Sequence, residues 1–424
     1  MLYPIGIQSF KEIRTGGYVY VDKTALVYKL THSGKYFFLS RPRRFGKSLI
    51  LSTLEAYFEG RKDLFEGLAI AELEKDWAVH PVIHIDLNTG LYTSVEMLRQ
   101  YLITQVSRLE ERFGRKDTEV LISDRFSGVI ERAAEKTGRK VVVLIDEYDK
   151  PLLETIGKPE LQEAFHDELR SFYSVLKSYD KYIHFAMLTG VTKFGRLSVF
   201  SGLNNLYDLS FDPEYASLCG ITEQELTSTC EEGIRVMAEV CECTFDEMVD
   251  KLRNMYDGYR FTQAKTLVYN PFSLLTAFKR KMLDHFWFET GTPKYLVELL
   301  QNKKYNLSEL QGATSSTSKL SAFNPDSGED PLPVMYQSGY LTIKDYDPRR
   351  GKITLDFPNE EVRIGFLEYI YPFYAKTNVS QRFACEHFRD EIEDGKAEDF
   401  MQRLQALTAN ISYEILANCE NDFQ

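Results

Sequence analysis

Short apolar runs alternate with amphipathic stretches through the first half of the chain. Four runs are mostly apolar, as strands buried on both faces are: KYFFLS (35–40), PVIHIDL (81–87), VVVLI (141–145) and YIHFAML (182–188). Apolar residues recur three and four positions apart in four further stretches: 47–58, 94–113, 126–136 and 160–177. This spacing predicts helices. Strands that alternate with helices need right-handed crossovers, so residues 1–215 are predicted to form one α/β domain around a mainly parallel sheet.

The pattern changes to helices after about residue 216. Thr222 and Glu225 have the spacing of a capping box at the start of a helix. Helical spacing recurs over 245–255 and 271–281. We therefore predict a helical lid subdomain over 216–310.

The last quarter of the chain mixes a polar segment with a short helix and two strands. Residues 311–331 are rich in Ser, Thr, Gly and Asp, which favours a linker or a long loop. Residues 331–359 then predict a helix, a strand, a turn and a second strand. A helix followed by a hairpin is the order at the end of a winged helix. Residues 311–375 are therefore predicted to be a linker and a winged-helix-like α+β region, followed by a helical tail over 376–424.

Composition and charge narrow the class of protein. The chain is 43% hydrophobic and 27% charged, which is typical of a soluble globular protein. Its net charge of -12 argues against a protein that coats nucleic acid or an anionic membrane. The longest apolar runs fall far short of the roughly 20 residues that span a bilayer. With no secretory signal at its start and no Cys-x-x-Cys pair, the chain is predicted to be cytoplasmic.

Basic residues nevertheless outnumber acidic ones between residues 11 and 62, and some of them lie in a candidate phosphate-binding loop. The sequence RPRRFGKS (41–48) connects the first apolar run to a predicted helix. The start of a helix offers unpaired N–H groups and a positive dipole end to phosphate oxygens. Gly46 allows close approach of the backbone, Lys47 supplies an ammonium for the β- and γ-phosphates, and Ser48 supplies a hydroxyl ligand for magnesium.

This loop departs from the usual G-x-x-x-x-G-K-[ST] pattern, because Arg41 replaces the first glycine. The guanidinium groups of Arg41, Arg43 and Arg44 have two alternative roles, which are contact with phosphates and pairing with acidic residues elsewhere in the chain.

The second half of the candidate site is a pair of acids that follows VVVLI. Asp146 and Glu147 are predicted to lie at the carboxyl end of a central parallel strand, the edge where open α/β sheets bind ligands. Asp146 is predicted to hold Mg²⁺, directly or through water. Glu147 is predicted to orient and deprotonate the attacking water.

Polar residues also follow the fourth apolar run. Thr189 and Thr192 are candidates for contact with the γ-phosphate or the water, with an ordinary turn as the alternative. Arg196 is a candidate for stabilising charge in the transition state. For Asp86, and for Asp22 with Lys23, structural capping is favoured over a supporting role at the site.

Eight segments together resemble the bacterial AAA-ATPase-like family: YVDKT (20–24), FLSRPRRFGKSLILSTLEAYF (38–58), VVVLIDEYDKP (141–151), LTGVTKFGRLSVFSGLNNLYDLS (188–210), MYDGYRF (255–261), YNPFSLL (269–275), FETGTPKYL (288–296) and YQSGYL (336–341). The resemblance implies an α/β P-loop NTPase core with an unusual Walker A sequence. It implies nucleotide contacts from Arg43, Gly46, Lys47 and Ser48, which the neighbouring Phe45 and Leu49 complete. It also implies Walker B roles for Asp146 and Glu147.

Many members of that family continue into a C-terminal restriction-endonuclease-like module after a segment similar to residues 413–424. No strand-embedded pair of acids followed by Glu-x-Lys occurs in this sequence. Nuclease activity is therefore not expected. The expectation is a truncated chain or a shortened natural relative.

Two further groups have an ordinary structural interpretation beside a functional one. The aromatic-basic cluster Tyr256, Tyr259, Arg260 and Phe261 is suited to stacking on a base, although packing of the helical subdomain is favoured. Basic residues surround the predicted hairpin and are suited to a phosphate backbone. Because acidic residues flank the hairpin, a protein-contact or regulatory role is favoured there over DNA.

The sequence as a whole predicts an ATPase that binds ATP and Mg²⁺ and hydrolyses the γ-phosphate by in-line attack of water. The alternative is a nucleotide-responsive binding module with negligible turnover, with action on DNA through the winged-helix-like region left open. A homo-oligomer and a protein partner also stay open. The process that ATP turnover drives is not identified by the sequence.

Overall fold

The computed structural model describes residues 1–194, 206–287, 296, 300, 309–321, 330–375, 394–398 and 401–402. The chain divides into two compact units, Met1–Ile364 and Gly365–Gln424. The larger unit contains all the elements that build the candidate site. The predicted divisions at residues 215, 310 and 375 stay predictions.

A parallel five-stranded sheet forms the centre of the larger unit. Its strands are β1 (Tyr36–Ser40), β2 (Val82–Asp86), β3 (Val141–Asp146), β4 (Ile183–Gly190) and β5 (Tyr207–Asp208). Their order across the sheet is β2-β3-β4-β1-β5, and all neighbouring pairs are parallel. Every residue of β1 and β3 is buried. The predicted α/β core is therefore confirmed, and its order places β4 between the strand that leads into the loop and the strand that ends in the acids.

Helices connect these strands. The helices of the first half are α1 (Phe10–Thr15), α2 (Thr24–Ser33), α3 (Lys47–Phe58), α4 (Ala69–Leu73), α5 (Val95–Phe113), α6 (Ile122–Thr137), α7 (Lys150–Leu153) and α8 (Pro159–Ser178). Helix α3 packs against β2, β3 and β4, and α6 packs against β3. Helix α6 begins at Ile122, four residues before the start predicted at Phe126. The prediction missed its first turn because that turn is mostly polar and lacks the apolar spacing of a helix. In that turn Arg125 is buried and its guanidinium donates to Glu110 Oε1 of α5 at 2.8 Å.

The helical region after residue 216 has a core of its own. Its helices are α9 (Glu223–Thr229), α10 (Glu231–Val240), α11 (Phe245–Tyr256) and α12 (Pro271–Arg280). Thr222 and Glu225 form the predicted capping box at the start of α9. Ile234, Met237, Leu252 and Leu274 are fully buried together in one apolar cluster. Within the described part of 216–310, the prediction of a helical region agrees with these helices, which share an apolar core.

The C-terminal part of the larger unit contains a small antiparallel sheet. Its elements are β6 (Thr314–Ser316), α13 (Thr317–Leu320), α14 (Leu332–Ser338), β7 (Thr342–Asp347) and β8 (Lys352–Asp356), and α15 (Glu360–Ala375) follows. The order across the sheet is β6-β8-β7. The predicted helix and hairpin are present as α14, β7 and β8. The prediction of a linker or loop over 311–331 is wrong for its first part, because β6 pairs with β8 through backbone hydrogen bonds that its polar sequence Thr-Ser-Ser does not signal.

Across the part of the chain that the structure describes, no helix combines the length and the apolar character needed to cross a bilayer.

Candidate functional site

The loop between β1 and α3 has a backbone shape that depends on two left-handed residues. Ser40 ends β1 and Lys47 is the first residue of α3, so residues 41–46 form the connection. Arg44 has φ 70° and Gly46 has φ 91°. Gly46 adopts this conformation without the steric cost that a Cβ would add. The loop thereby presents the N-terminus of α3, with its unpaired N–H groups, at the edge of the sheet.

Lys47 points back into the loop that precedes it. Its side chain is only 3% exposed, and Nζ donates to the carbonyl oxygens of Arg41 at 3.1 Å and Pro42 at 3.3 Å. Nζ also lies 3.2 Å from Glu147 Oε1. The loop therefore surrounds an ammonium group that also contacts the carboxylate of Glu147, directly after β3.

The two acids lie at the end of β3, as predicted, with different partners. Asp146 is buried, and its Oδ1 accepts from Glu147 N at 3.0 Å and from Thr189 Oγ1 at 2.5 Å. Both bonds fall on Oδ1, which orients the carboxylate. Glu147 has φ 51°, a conformation that non-glycine residues rarely adopt and that aims its side chain at Lys47. Such local strain occurs frequently at functional sites.

Thr189 connects the two motifs across the sheet. It lies within β4 rather than after its end, in register with Leu39 of β1. Because β4 separates β1 from β3, the Thr189 hydroxyl lies between the loop strand and Asp146. It is fully buried and donates to that acid. Thr189 therefore orients Asp146, and its predicted contact with nucleotide stays a prediction.

Sequence reasoning missed Asp149, a buried acid two residues after Glu147 that accepts several hydrogen bonds. It is fully buried and accepts from Val191 N at 3.0 Å, Thr192 N at 2.6 Å and Thr192 Oγ1 at 2.8 Å. Burial, and then the charge of Glu147, raise the pKa of Asp149. A Cβ at Gly190 would lie 2.5 Å from Asp149 Oδ1, so glycine there allows this acid to approach β4. Thr192 is thus held by Asp149, and its predicted nucleotide contact stays a prediction.

A cleft of about 330 Å³ opens where these elements meet. Its lining residues come from the loop and α3 (Arg43, Arg44, Gly46, Lys47, Ser48, Leu49), the acid side (Asn88, Glu147, Lys150), the N-terminal segment (4–8, Ile13) and the lid (Pro271, Phe272, Leu275). Basic groups line the loop side, whereas the N-terminal segment and the lid contribute mainly apolar surface. The cleft is therefore suited to a ligand with an anionic part and an apolar part.

Phe45, the remaining predicted nucleotide contact in the loop, has its side chain inside the protein. It is 1% exposed, and its ring packs against Tyr259 at 4.7 Å and Phe261 at 5.3 Å between centroids. With Leu49 it also lines a second, mostly apolar cavity of about 80 Å³. The Phe45 side chain therefore lies in the interior, and the predicted nucleotide contact of this residue stays a prediction.

Arg41 follows neither of the two alternatives that the sequence left open for the arginines. It is 2% exposed, its Nη1 donates to the carbonyl oxygens of Ser40 and Ser210 at 2.9 Å each, and its guanidinium lies 4.5 Å from the Phe261 ring centre. Burial lowers the pKa of Arg41. This guanidinium therefore packs beneath the loop instead of binding phosphate or an acid.

Arg43 and Arg44 both line the cleft, so contact with phosphate remains open for them. The guanidinium of Arg44 lies 4.6 Å from the centre of the Phe272 ring, at the first turn of α12. Arg196 lies outside the described residues.

The remaining sequence candidates have structural partners. Asp86 Oδ1 accepts from Asn88 N, and Asp22 Oδ1 accepts from Thr24 N, which are turn and capping contacts. Lys23 is buried and donates to Glu225 Oε2 at 2.5 Å. In the aromatic-basic cluster, Tyr256, Tyr259, Arg260 and Phe261 are all buried. Packing, the favoured interpretation of that cluster, agrees with this burial.

The loop is supported from behind by the second half of the chain. Gly339 has φ 89°, and a Cβ there would meet Pro42 Cγ at 2.7 Å. Gly220 N donates to the Phe45 carbonyl at 3.3 Å. Sequence reasoning did not find these contacts. The available signal was the isolated Gly339 in the segment YQSGYL, because an isolated glycine can indicate a close approach of the backbone.

Substitution of Gly339 tests this support. We expect Gly339→Ala to lower the melting temperature and to weaken any ligand binding in the cleft, because its methyl group would displace Pro42. Overpacking of this kind costs roughly 1–3 kcal/mol beyond the backbone strain. Thermal unfolding of Gly339→Ala and of the unmodified protein measures the change in melting temperature.

Gly351→Ala is the matched control. Gly351 has φ 61° and nothing within 4 Å of a Cβ, so that variant carries the backbone strain alone. Equal melting temperatures for the two variants would contradict a role for the contact with Pro42.

Comparisons with known proteins cover most of the chain. The AAA-ATPase-like family, described as predicted AAA-ATPase, matches residues 4–200. The uncharacterized protein in the vnfD 5′ region of Azotobacter chroococcum mcd 1 is 39% identical over 382 residues, which are 89% of this chain and 71% of that protein. The solved structure of the Aeropyrum pernix ORC2 protein (ADPNP-ADP complexes) is 10% identical with a TM-score of 0.28, over 88% of this chain and 97% of that one. At that TM-score the likeness does not define the fold. The family match includes both the loop and the two acids.

Proposed function

The chain belongs to the AAA-ATPase-like family of predicted AAA-ATPases, and on this basis we propose that it binds ATP with Mg²⁺ in the cleft and hydrolyses it. The observation that carries the proposal is the meeting of two motifs that are about a hundred residues apart in the sequence. Lys47 Nζ, at the start of α3, lies 3.2 Å from Glu147 Oε1, at the end of β3. An ammonium that neutralises phosphate charge and a carboxylate that orients the attacking water are two of the groups that triphosphate hydrolysis uses.

The phosphates would bind at the loop side of the cleft. The first N–H groups of α3 and the Lys47 ammonium supply the donors, and Arg43, Arg44 and Lys150 add positive charge to the lining. Lys47 now bonds two loop carbonyls and Glu147, so phosphate oxygens would replace part of that set. The apolar residues of the N-terminal segment and of α12 are suited to the nucleoside.

Ser48 and Asp146 are the residues that would hold Mg²⁺. A hydroxyl and a carboxylate are the hard oxygen ligands that this ion prefers, and Thr189 already orients Asp146. When bound, the ion would neutralise charge on the phosphates. The donor set fits the ion.

Glu147 is proposed to be the general base that orients and deprotonates water. Its Oε1 contacts Lys47, so a proton from water would go to Oε2, or to Oε1 after phosphates have drawn the ammonium away. This pairing favours a second candidate function, a nucleotide-responsive binding module with very slow turnover. Both functions share the binding step and differ in the release of phosphate.

Calorimetry with Mg-ATP, followed by steady-state phosphate release, tests the proposal on the 424-residue chain. Saturable binding with phosphate release supports the ATPase, and binding without release supports the second candidate. No binding would contradict both. Repeating the release assay with duplex DNA at rising salt separates a DNA-dependent activity, since DNA affinity falls steeply with salt.

A further inference from the structure

A buried tryptophan lies directly behind the phosphate-binding loop. Trp287 is 7% exposed, and its indole Nε1 donates to the Arg43 carbonyl at 3.3 Å. Its backbone N donates to Glu361 Oε1 at 2.9 Å. The indole also packs against Tyr340, with 5.1 Å between ring centroids. One residue thus connects the loop to a carboxyl group more than 300 positions further along the chain.

The hydrogen bond from Trp287 to the Arg43 carbonyl lies directly before a residue with a left-handed backbone conformation. The next residue, Arg44, has φ 70°, so the peptide between them has an orientation that sequence-local forces disfavour. In a trans peptide the C=O and the following N–H point in opposite directions. A donor that fixes the Arg43 carbonyl therefore also fixes the direction of the Arg44 N–H.

Glu361 fixes the tryptophan in turn. It lies in the first turn of α15 and is completely buried. Burial raises the pKa of Glu361 to about 8. Burial thus favours the neutral acid over the carboxylate, and in either form Oε1 accepts from Trp287 N.

We propose that Trp287 and Glu361 are positioning residues for the nucleotide: Glu361 holds the Trp287 backbone, and the Trp287 indole holds the Arg43 carbonyl in the conformation that binds phosphate. This inference rests on the proposed function. Because the loop and the tryptophan are in contact, a ligand in the loop changes the surroundings of the indole. By linkage, changes at Trp287 or Glu361 alter ligand affinity.

Intrinsic fluorescence tests the contact directly, because the chain has only two tryptophans, Trp77 and Trp287. Trp77 packs elsewhere, against Tyr57 and Phe65. In Trp77→Phe, titration with Mg-ATP is expected to change the remaining emission with the midpoint found by calorimetry. In Trp287→Phe, the Trp77 emission is expected to stay constant. Calorimetric binding without a signal from Trp287 would overturn the inference and leave the proposed function intact. Absence of calorimetric binding to the unmodified chain would remove the proposed function itself.

Affinity supplies the second measurement. Trp287→Phe keeps a ring but loses the Nε1 donor, so we expect Mg-ATP affinity to fall about fivefold, the usual net worth of one hydrogen bond. Glu361→Ala should cause a similar loss, whereas Glu361→Gln should restore affinity because its amide oxygen still accepts from Trp287 N. In turnover, KM should rise while kcat changes little. Unchanged affinity in Trp287→Phe would overturn the proposal whether or not Glu361→Ala folds.

Discussion

Lys47→Ala is expected to weaken Mg-ATP binding by roughly 10- to 150-fold, and to reduce phosphate release to the background rate. A hydrogen bond to a charged group is worth about 1.5–3 kcal/mol, which corresponds to this change in Kd. The true loss should fall at the upper end, since removal of the ammonium also leaves Glu147 beside the phosphates without the cation that it now contacts at 3.2 Å. Isothermal calorimetry with Mg-ATP measures the effect.

Lys29→Ala is a suitable control for the loss of one positive charge. Lys29 lies on α2 and forms an exposed ion pair with Glu214, a kind of contact that contributes little to stability. We expect this control to bind Mg-ATP like the unmodified chain. Normal binding by Lys47→Ala would show that the nucleotide does not occupy the loop.

Glu147→Gln is expected to lower the rate of phosphate release by roughly 10²- to 10⁴-fold, the usual contribution of a general base. Binding should persist and become a few times tighter, because the amide no longer holds the Lys47 ammonium that the phosphates need. Glutamine has the same shape and meets the same φ of 51°, so the backbone of the loop after β3 is not further strained. Single-turnover release of phosphate, together with calorimetry, separates the two effects.

Glu160→Gln, at an exposed position in the first turn of α8, controls for the lost negative charge. A Glu147→Gln protein that hydrolyses ATP at the normal rate would exclude Glu147 as the base. Weaker binding in the same variant would show that the contact between Lys47 and Glu147 is not a competitor of the phosphates.

The loop between β1 and α3 packs against residues from the second half of the chain. Arg41 lies on Phe261, Pro42 on Gly339, Phe45 on Tyr259, and Arg43 accepts from Trp287. Four successive parts of the loop thus contact residues from the second half of the chain. The loop between β1 and α3, with Arg41 in place of the first glycine, has tertiary contacts that hold its shape.

Much of the local structure could be predicted because its cause is local. The mostly apolar runs became β1 to β4, and Lys47–Phe58 became α3 with the predicted bounds, since side-chain periodicity and helix-start signals act over a few residues. Asp146 and Glu147 lie at the end of their strand for the same reason. The polar strand Thr314–Ser316 was missed, because its pairing with β8 depends on backbone hydrogen bonds to a distant segment and not on its own side chains.

The sequence by itself determined that strand and helix alternate, that RPRRFGKS joins a strand to a helix, and that two acids end a buried strand. Only the tertiary structure decided that β4 lies between those strands, that Thr189 orients Asp146, that Lys47 contacts Glu147, and that Arg41 turns inward to carbonyls and an aromatic ring. The reason is physical. Periodicity records which face of an element is buried, whereas strand order and side-chain partners depend on contacts between residues that are far apart in the chain and near in space.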